Sequence, residues 1–277
     1  MSTNDKVEYI DIDVACDLLP YFDMISELFN ECFGRKLDRQ LWDWAYQNNP
    51  SGSAFVSLAI SGGKVVGHYT SIPMPVESST EKIDGYLTMT IMVSAAYRRY
   101  RLFQVLGERV FERINATNKP SAVFGFPNDN SAPGFRKRLG WIISEEYKII
   151  ELTQTTQKQC AALLEKQDFS SLFTLNLNEQ ALKNWRVNKP SQEWGINEGV
   201  GLKVFDGGSD LMYLAHPSLI SSIEIKDKVN VILPIGELPE FSNMHVAFPY
   251  RFGYRLFNCE HINNPQFFVQ MCMSDVF

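Results

Sequence analysis

The chain has 277 residues, 45% of them hydrophobic and 13% aromatic, enough to bury a sizeable core in one large domain or two smaller ones. Its 26 basic and 32 acidic residues give a net charge of −6, which argues against binding to nucleic acid or an anionic membrane, because both require a broad positive face. The five cysteines form no C-x-x-C pair, as expected for reduced thiols.

The start of the chain carries no basic segment followed by an apolar block. No later stretch approaches the roughly 18 uncharged apolar residues that a membrane-spanning helix needs. We therefore expect a soluble, cytoplasmic protein without a membrane partner.

Two helices and a hairpin are predicted first. Residues 19–33 place apolar side chains at helical intervals, and residues 38–47 form a shorter helix that ends at the turn-forming NNPSG. The runs SAFVSLAI and KVVGHYTSI, joined by SGG, predict a β-hairpin, and residues 85–94 a third strand.

A helix from about Leu102, a strand AVFGFPN and a short helix in NSAPGFRKRLGW follow. Asn130 or Ser131 is expected to cap this short helix, and Gly140 to end it. A last strand is predicted over residues 141–152. The order ααββ(β)αβαβ predicts a fold of the α/β (α+β) class, with a mixed twisted sheet and helices on both of its faces.

The remaining sequence is less regular, with a polar helix near 154–166 and further strand-like runs. Residues 41–69 and 182–214 share a Leu-x-x-Trp start, a proline, and two strands around a Gly-Gly turn. A weak internal duplication explains the similarity, and coincidence is the alternative. We predict domains at 1–152 and 153–277. The strand-like runs of this half are 200–205, 211–215, 229–234, 244–256 and 266–273.

Three arginines, Arg98, Arg99 and Arg101, stand where the third strand meets the following helix. A helix N-terminus has unpaired N–H groups and a partial positive charge, so arginines are unfavourable there unless an anion binds. A strand-to-helix turn of this kind can hold phosphate. The alternative is a solvated corner whose arginines pair with nearby acids.

This region resembles the GNAT superfamily of acyl-CoA-dependent N-acyltransferases, over residues 20 to 150, in LTMTIMVS, AYRRYRLFQVL, AVFGFPN and NSAPGFRKRLGW. In that family an R-x-x-G-x-G/A loop holds the CoA pyrophosphate, and Arg98 matches its first position. The resemblance implies acetyl-CoA as co-substrate and a C-terminal half that is a second, degenerate GNAT-like domain. It also implies cofactor-binding residues Ile91, Met92, Val93, Arg98, Arg99, Tyr100, Arg101, Leu102, Phe103, Asn128 and Asn130.

The loop departs from the family pattern. The glycines that usually flank the third loop position are absent, with Arg99 and Arg101 in their places, and Phe103 stands at the last small position. Either the loop adopts φ values open to ordinary residues, or cofactor binding has weakened. Arg136 stands where many members carry a tyrosine general acid, and a guanidinium donates protons poorly.

Thioester aminolysis needs a base for the amine and an N–H donor for the carbonyl oxygen. The donor is expected in the backbone of 91–93, and the base in a water held by Thr88, Thr90, His68 or Tyr69. An ordinary buried strand pair is the alternative for His68 and Tyr69. The four histidines show no metal-ligand spacing, so no metal is expected.

We expect acetyl transfer from acetyl-CoA to the amine of a small molecule, by direct attack in a ternary complex. The W-x-x-x-x-N-P and FPN segments resemble relatives that act in surface-sugar assembly, which makes an amino sugar the first acceptor to consider. The alternatives are a non-catalytic binding or regulatory module of the same fold, and an enzyme that uses a longer acyl or an aminoacyl donor.

Overall fold

The computed structural model describes residues 6–242, 244–262 and 265–274, without the side chain of Glu240. The strands are β1 (Glu8–Ile12), β2 (Phe55–Ser61), β3 (Lys64–Pro73), β4 (Val76–Glu77), β5 (Lys82–Val93), β6 (Ser121–Gly125), β7 (Ile142–Ser144), β8 (Tyr147–Leu152), β9 (Gly195–Asn197), β10 (Val200–Phe205), β11 (Gly208–Leu214), β12 (Lys228–Pro234), β13 (Val246–Pro249) and β14 (Phe252–Phe257). The helices are α1 (Ala15–Leu18), α2 (Phe22–Phe33), α3 (Arg39–Trp42), α4 (Leu102–Ala116), α5 (Ala132–Arg138), α6 (Gln157–Glu165) and α7 (Gln180–Val187).

Two mixed sheets organise these elements. The first has the order β1-β2-β3-β5-β6-β14-β7, with β4 paired to β5. The second has the order β13-β8-β12-β11-β10-β9. The mixed α/β class is therefore confirmed, and the arrangement of two sheets fits a pseudo-duplicated chain.

Helices cover both faces of the first sheet. Helix α4 packs on β2 and β3 and buries Leu102, Leu106, Val110 and Ile114 completely. Helix α2 packs on β3 and β5 from the opposite face. Side chains of successive strand residues alternate between these two layers, so neighbours in β3 belong to different cores.

The predicted last strand over 141–152 is wrong as a single element. Its first part, β7, pairs with β14 in the first sheet, whereas its second part, β8, lies between β12 and β13 in the second sheet. Glu145 and Glu146 lie in the connection where the chain changes sheets. A change of sheet depends on distant partners, which local periodicity does not reveal.

The strands cross the predicted boundary at residue 152 in both directions. Strand β8 precedes it yet belongs to the second sheet, and β14 follows it yet lies between β6 and β7. The predicted run 244–256 is thus two strands in different sheets. The run 266–273 is no strand but a bridge at Phe267 and a turn over Met271–Met273. The division into two domains stays a prediction.

Three elements of the first half are not predicted from the sequence. Strand β1 and helix α1 precede the first predicted helix, and β4 is a two-residue strand. Strand β1 lies at the sheet edge and is mostly exposed, so its sequence lacks a continuous apolar signal.

The two segments with similar sequences meet through their tryptophans. The rings of Trp44 and Trp185 stack with centroids 4.5 Å apart and an interplanar angle of 3°. The Nε1–H of Trp44 donates to the carbonyl of Trp185 at 2.7 Å, and the Nε1–H of Trp185 donates back to the carbonyl of Trp44 at 2.8 Å. Such reciprocal contacts are typical of two-fold related units. They favour duplication over coincidence, while a second GNAT-like half stays a prediction.

Candidate functional site

Strands β5 and β6 separate at the centre of the first sheet. They pair in parallel over Asp84–Leu87 and Ser121–Phe124. At Gly125 the strands are still close, since a Cβ added there would lie 3.2 Å from the carbonyl oxygen of Thr88. Strand β6 ends at this point while β5 continues to Val93. The separation leaves a wedge-shaped gap between the two strands. The last third of β5 therefore presents unpaired backbone N–H and C=O groups to this wedge.

A β-bulge interrupts β5 beside this wedge. The β3–β5 ladder shifts register between His68 and Thr70, so that Thr90 and Ile91 together oppose Tyr69. Thr90 has a φ of 50°, in the left-handed region. A bulge re-aims the backbone locally, and such bulges are common beside active sites.

The imidazole of His68 holds this bulge from behind. Its Nδ1 lies 2.7 Å from the carbonyl oxygen of Thr90. Because a carbonyl only accepts, Nδ1 carries the proton and donates it. The ring is fully buried, and burial lowers the pKa of His68 to about 4. His68 is therefore neutral at physiological pH and supports the bulge.

A cleft of about 700 Å³ fills the wedge. This volume lies within the range of small-molecule sites, about 300–1,000 Å³. Seven of the predicted cofactor-binding residues line it, so the sequence analysis identified residues that meet in one place. These are Ile91, Met92, Val93, Arg98, Phe103, Asn128 and Asn130.

The cleft is locally positive in an acidic protein. Arg98, Lys137 and Arg138 line it, and no aspartate or glutamate does so among the described residues. Field lines concentrate in clefts lined by one sign of charge, which raises the local concentration of anions. Lys137 and Arg138 are not recognisable as site residues from the sequence, because basic residues in a last helical turn also fit the helix dipole.

The backbone before α4 takes the conformation that the family's glycine permits. Residues 95–100 form a 3₁₀ turn, and Arg101 follows with a φ of 56° and a ψ of 28°. Arg101 thus adopts the left-handed values that glycine favours, despite its side chain, and not the φ values open to ordinary residues of the first alternative. Its carbonyl accepts from the N–H groups of Gln104 and Val105, at 2.9 and 3.1 Å. The first two N–H groups of the helix, those of Leu102 and Phe103, are at positions that have no acceptor within a helix. Anions bind to N–H groups at such positions.

Four predicted cofactor-binding residues lie outside the cleft lining. Arg99 extends over the ring of Tyr100, with its Nη2 3.1 Å from the tyrosine hydroxyl. Leu102 is fully buried under the sheet. Leu102 could therefore contact a ligand only through its backbone groups. Phe103 packs edge-on against Phe135 at 5.2 Å and leaves the cleft open.

The predicted cap of α5 is wrong in detail. Neither Asn130 nor Ser131 caps the helix with its side chain. Instead the carboxamide oxygen of Asn128 accepts from the N–H groups of both residues, at 3.1 and 3.0 Å. Gly140, with a φ of 67°, ends the segment as expected. Asn128 therefore fixes the loop that forms one wall of the cleft.

The predicted catalytic candidates are placed differently. Tyr69 is fully buried against Phe103 and Phe111, and burial raises its pKa well above the usual value. Neither His68 nor Tyr69 lines the cleft, so the alternative of a buried strand pair describes them better. Arg136 also points away, with its Nη2 3.0 Å from Glu145.

A smaller cavity of about 170 Å³ lies on the other side of the bulge, beneath α2 and α3. Met89 and Thr90 line this cavity, whereas Ile91 and the next two residues line the cleft. The bulge therefore stands between the two spaces, and Phe33 borders both. The full lining of this cavity, which sequence analysis missed, is Phe29, Phe33, Arg35, Leu37, Leu41, Trp42, Ala45, Tyr46, Met89, Thr90 and Lys189.

The end of α2 also reaches the cleft. Cys32 and Phe33 continue the apolar stripe of this helix beyond its buried residues and line the cleft. Periodicity alone does not distinguish such cleft-lining positions from core positions. The thiol of Cys32 lies 3.8 Å from the carbonyl oxygen of Val93. Partial burial raises the pKa of this thiol, which keeps it protonated at neutral pH.

Over the described residues, no group of three or more His, Cys, Asp or Glu side chains is arranged to hold a metal ion. In the same part of the chain, no helix has both the length and the apolar character needed to cross a bilayer.

Residues 20–144 match the family model described as an acetyltransferase (GNAT) domain. This segment contains both walls of the cleft, the bulge and the arginine loop. The resemblance found in the sequence is therefore confirmed over this segment, which is less than half of the chain. A comparison with curated protein sequences finds no match.

Solved structures share the fold over about nine-tenths of the chain. A GCN5-related N-acetyltransferase from Kribbella flavida is 14% identical, with 91% of this chain and 72% of that chain covered and a TM-score of 0.57. A probable N-acyltransferase of unknown function from Enterococcus faecalis is 9% identical, with 90% and 72% covered and a TM-score of 0.56. A GCN5-related N-acetyltransferase from Anabaena variabilis is 10% identical, with 90% and 72% covered and a TM-score of 0.53. The likeness thus includes both sheets.

Proposed function

We propose that the protein transfers an acetyl group from acetyl-CoA to the amine of a small molecule. One observation carries this proposal: the bulge of β5 separates a positive cleft from a small cavity. A thioester that lies at the bulge would be reached by an amine from the opposite side. Both substrates would then be bound together, as direct transfer requires.

The donor is assigned to the cleft. Its pyrophosphate would accept hydrogen bonds from the N–H groups at the start of α4, with Arg98 as counter-charge. The amide groups of its pantetheine arm match the exposed edge of β5, which offers backbone donors and acceptors. Lys137 and Arg138 supply further positive charge to the phosphate groups.

In the reaction the amine nitrogen attacks the thioester carbon and forms a C–N bond. A backbone N–H of the segment 91–93 would stabilise the oxyanion of the tetrahedral intermediate. The C–S bond then breaks, and the nitrogen loses its proton to water. Thr90 is the predicted candidate that lines the cavity, and its hydroxyl can hold that water. A thiol with a pKa near 8.5 leaves readily as the thiolate. Solvent can then protonate this thiolate, so no general acid is needed at the position of Arg136.

The acceptor is assigned to the cavity beneath α2 and α3. At about 170 Å³ it holds the volume of five or six waters, at roughly 30 Å³ each in the liquid. This size suits a small molecule or the reactive end of a larger one. An amino sugar remains a candidate acceptor on the sequence resemblance.

The competing proposal is a binding module that has lost activity. Isothermal titration with acetyl-CoA, followed by an assay of CoA release with candidate amines, separates the two. We expect micromolar binding that weakens about tenfold in Arg98→Ala, in line with loss of one charge-assisted hydrogen bond. Arg99→Ala is the matched control, because this neighbouring arginine lies outside the cleft. Binding without turnover of any amine would favour the module, and absence of binding would refute the assignment of the donor.

A further inference from the structure

The cavity beneath α2 and α3 has mostly apolar walls. Eight of its eleven described lining residues carry aromatic or aliphatic side chains, and the other three are Arg35, Thr90 and Lys189. Both cations have partners within the protein. The guanidinium of Arg35 lies 5.6 Å from the centre of the Phe29 ring, and the Nζ of Lys189 lies 5.8 Å from that of the Trp44 ring. Neither cation therefore needs a ligand as its partner.

Two pairs of aromatic rings line this cavity. The ring centroids of Phe29 and Phe33, on α2, lie 4.7 Å apart. Those of Trp42, at the end of α3, and Tyr46, just after this helix, lie 4.3 Å apart. Aromatic rings attract a further ring by offset or edge-on contacts, beyond the gain from burial alone. The walls therefore favour a flat aromatic ligand over a saturated ligand of equal size.

The volume of the cavity suits one ring. It measures about 170 Å³, and an engineered cavity of about 150 Å³ with apolar walls stays dry and binds benzene. A sugar ring carries several hydroxyl groups, each of which loses its hydrogen bonds to water on entry. The neutral polar groups of the described lining, one each on Trp42, Tyr46 and Thr90, are too few to replace those bonds.

We infer that the acceptor is a primary amine that one aromatic ring carries on a short chain. This inference rests on the proposed function and specifies its acceptor, with an aromatic ring where the sequence resemblance would place an amino sugar. The ring would occupy the cavity. The amine would lie at the bulge, where Thr90 lines the cavity and the next residue, Ile91, lines the donor cleft.

Apolar surroundings also favour the reactive form of the amine. Removal from water disfavours a charged ammonium group, so burial lowers the pKa of the amine. The group gives this proton to water, and the neutral nitrogen then forms the C–N bond with its lone pair while the thiolate leaves. Burial would thus supply the free base, although the described lining contains no carboxylate or imidazole that could act as a base.

The test compares 2-phenylethylamine, 2-cyclohexylethylamine and ethylamine, which share a two-carbon chain, with D-glucosamine as the polar ring. CoA release gives kcat/KM for each amine, and ligand-observed NMR measures binding without turnover. We expect the phenyl compound to exceed ethylamine by about tenfold or more, because its ring is buried. It should exceed the cyclohexyl compound by about two- to tenfold through aromatic contacts, and D-glucosamine by about tenfold or more.

Variants show whether the cavity is responsible. Leu41→Asn keeps the size of a partly buried side chain but makes the wall polar, and it should remove most of the advantage of the phenyl compound over ethylamine. Leu19→Asn is the matched control, because this leucine lies outside the cavity lining. Phe33→Leu changes a half-exposed residue and should narrow the difference between the phenyl and cyclohexyl compounds. Acetyl-CoA affinity is measured for every variant, because Phe33 also borders the donor cleft.

Equal kcat/KM and equal binding of 2-phenylethylamine and ethylamine would overturn the inference. So would D-glucosamine as the better acceptor, or a folded Leu41→Asn variant that keeps the preference for the phenyl compound. Failure of the proposed function would be seen separately, as a wild-type protein that does not bind acetyl-CoA or that releases no CoA with any amine. In that case saturable binding of 2-phenylethylamine that weakens in Leu41→Asn would support the aromatic site, and its absence would overturn it.

Discussion

Acidification should destabilise the protein through His68. The imidazole is fully buried and neutral, with a pKa lowered by burial to about 4 from an ordinary value of 6.5. Above pH 6.5 neither the folded nor the unfolded state binds a proton at this residue. Between pH 6.5 and about 4 only the unfolded state binds one, so the free energy of unfolding decreases as pH falls.

The size of the effect follows from the pKa difference. Each pKa unit corresponds to about 1.4 kcal/mol, so the full difference of about 2.5 units is worth about 3 kcal/mol. About 2 kcal/mol of this should be lost between pH 7 and pH 5. Below about pH 4 both states are protonated, and the contribution of His68 stops changing.

The assay is urea unfolding followed by tryptophan fluorescence at several pH values, on wild type and His68→Asn. The Asn Nδ2 occupies nearly the position of the His Nδ1, so it can still donate to the Thr90 carbonyl but does not titrate. The other three histidines are common to both proteins and cancel in the comparison. An equal loss of stability in wild type and His68→Asn between pH 7 and pH 5 would refute the reasoning.

The same pair tests the role of the bulge in activity. His68→Asn should retain acetyl transfer within a few-fold, because the bulge keeps its hydrogen bond. His68→Leu leaves the buried carbonyl of Thr90 without this donor, which costs about 1–3 kcal/mol and should reduce kcat strongly. If both variants transferred acetyl groups equally well, the hydrogen bond would not position the site.

Three further predictions follow from local geometry. Arg101→Gly should bind acetyl-CoA with an affinity within about twofold of wild type. Arg101→Val should lower the free energy of unfolding in urea by about 1–2 kcal/mol, because β-branched residues avoid the left-handed region. Equal stabilities of the valine variant and wild type would contradict this. Acetyl-CoA should slow alkylation of Cys32 but not of exposed Cys16, measured by peptide mass spectrometry, and equal protection of both would place the ligand elsewhere. Gly85→Ala should destabilise by about 3 kcal/mol or more in urea unfolding, since its Cβ would lie 2.2 Å from the backbone oxygen of Met74; a wild-type midpoint would refute this close approach.

Much of the first sheet could be predicted from sequence because its elements carry local signals. The alternation in β2 and β3 and the apolar stripe of α4 follow from burial of one face. The arginines before α4 were recognised by an electrostatic argument, and Arg98 indeed lines the cleft. The interaction between a helix dipole and nearby charges involves residues that are adjacent in the chain, so it can be recognised from the sequence.

The missing parts depend on distant contacts. The insertion of β14 beside β6 joins residues that are far apart in the chain, and no periodicity encodes it. The bulge at Thr90 arises where β3 and β5 lose register, so it belongs to the pair of strands and not to either one. Lys189 reaches the cavity only because Trp44 and Trp185 bring their segments together. These three features form the site more than any motif does.

A crystal structure of the protein with acetyl-CoA tests the central claim most directly. We predict that the pyrophosphate lies against the N–H groups of Leu102 and Phe103, and that the thioester reaches the bulge at Thr90 and Ile91. The acetyl group should then face the small cavity. Density for the ligand at another surface, or a complex in which the wedge between β5 and β6 stays empty, would contradict the account.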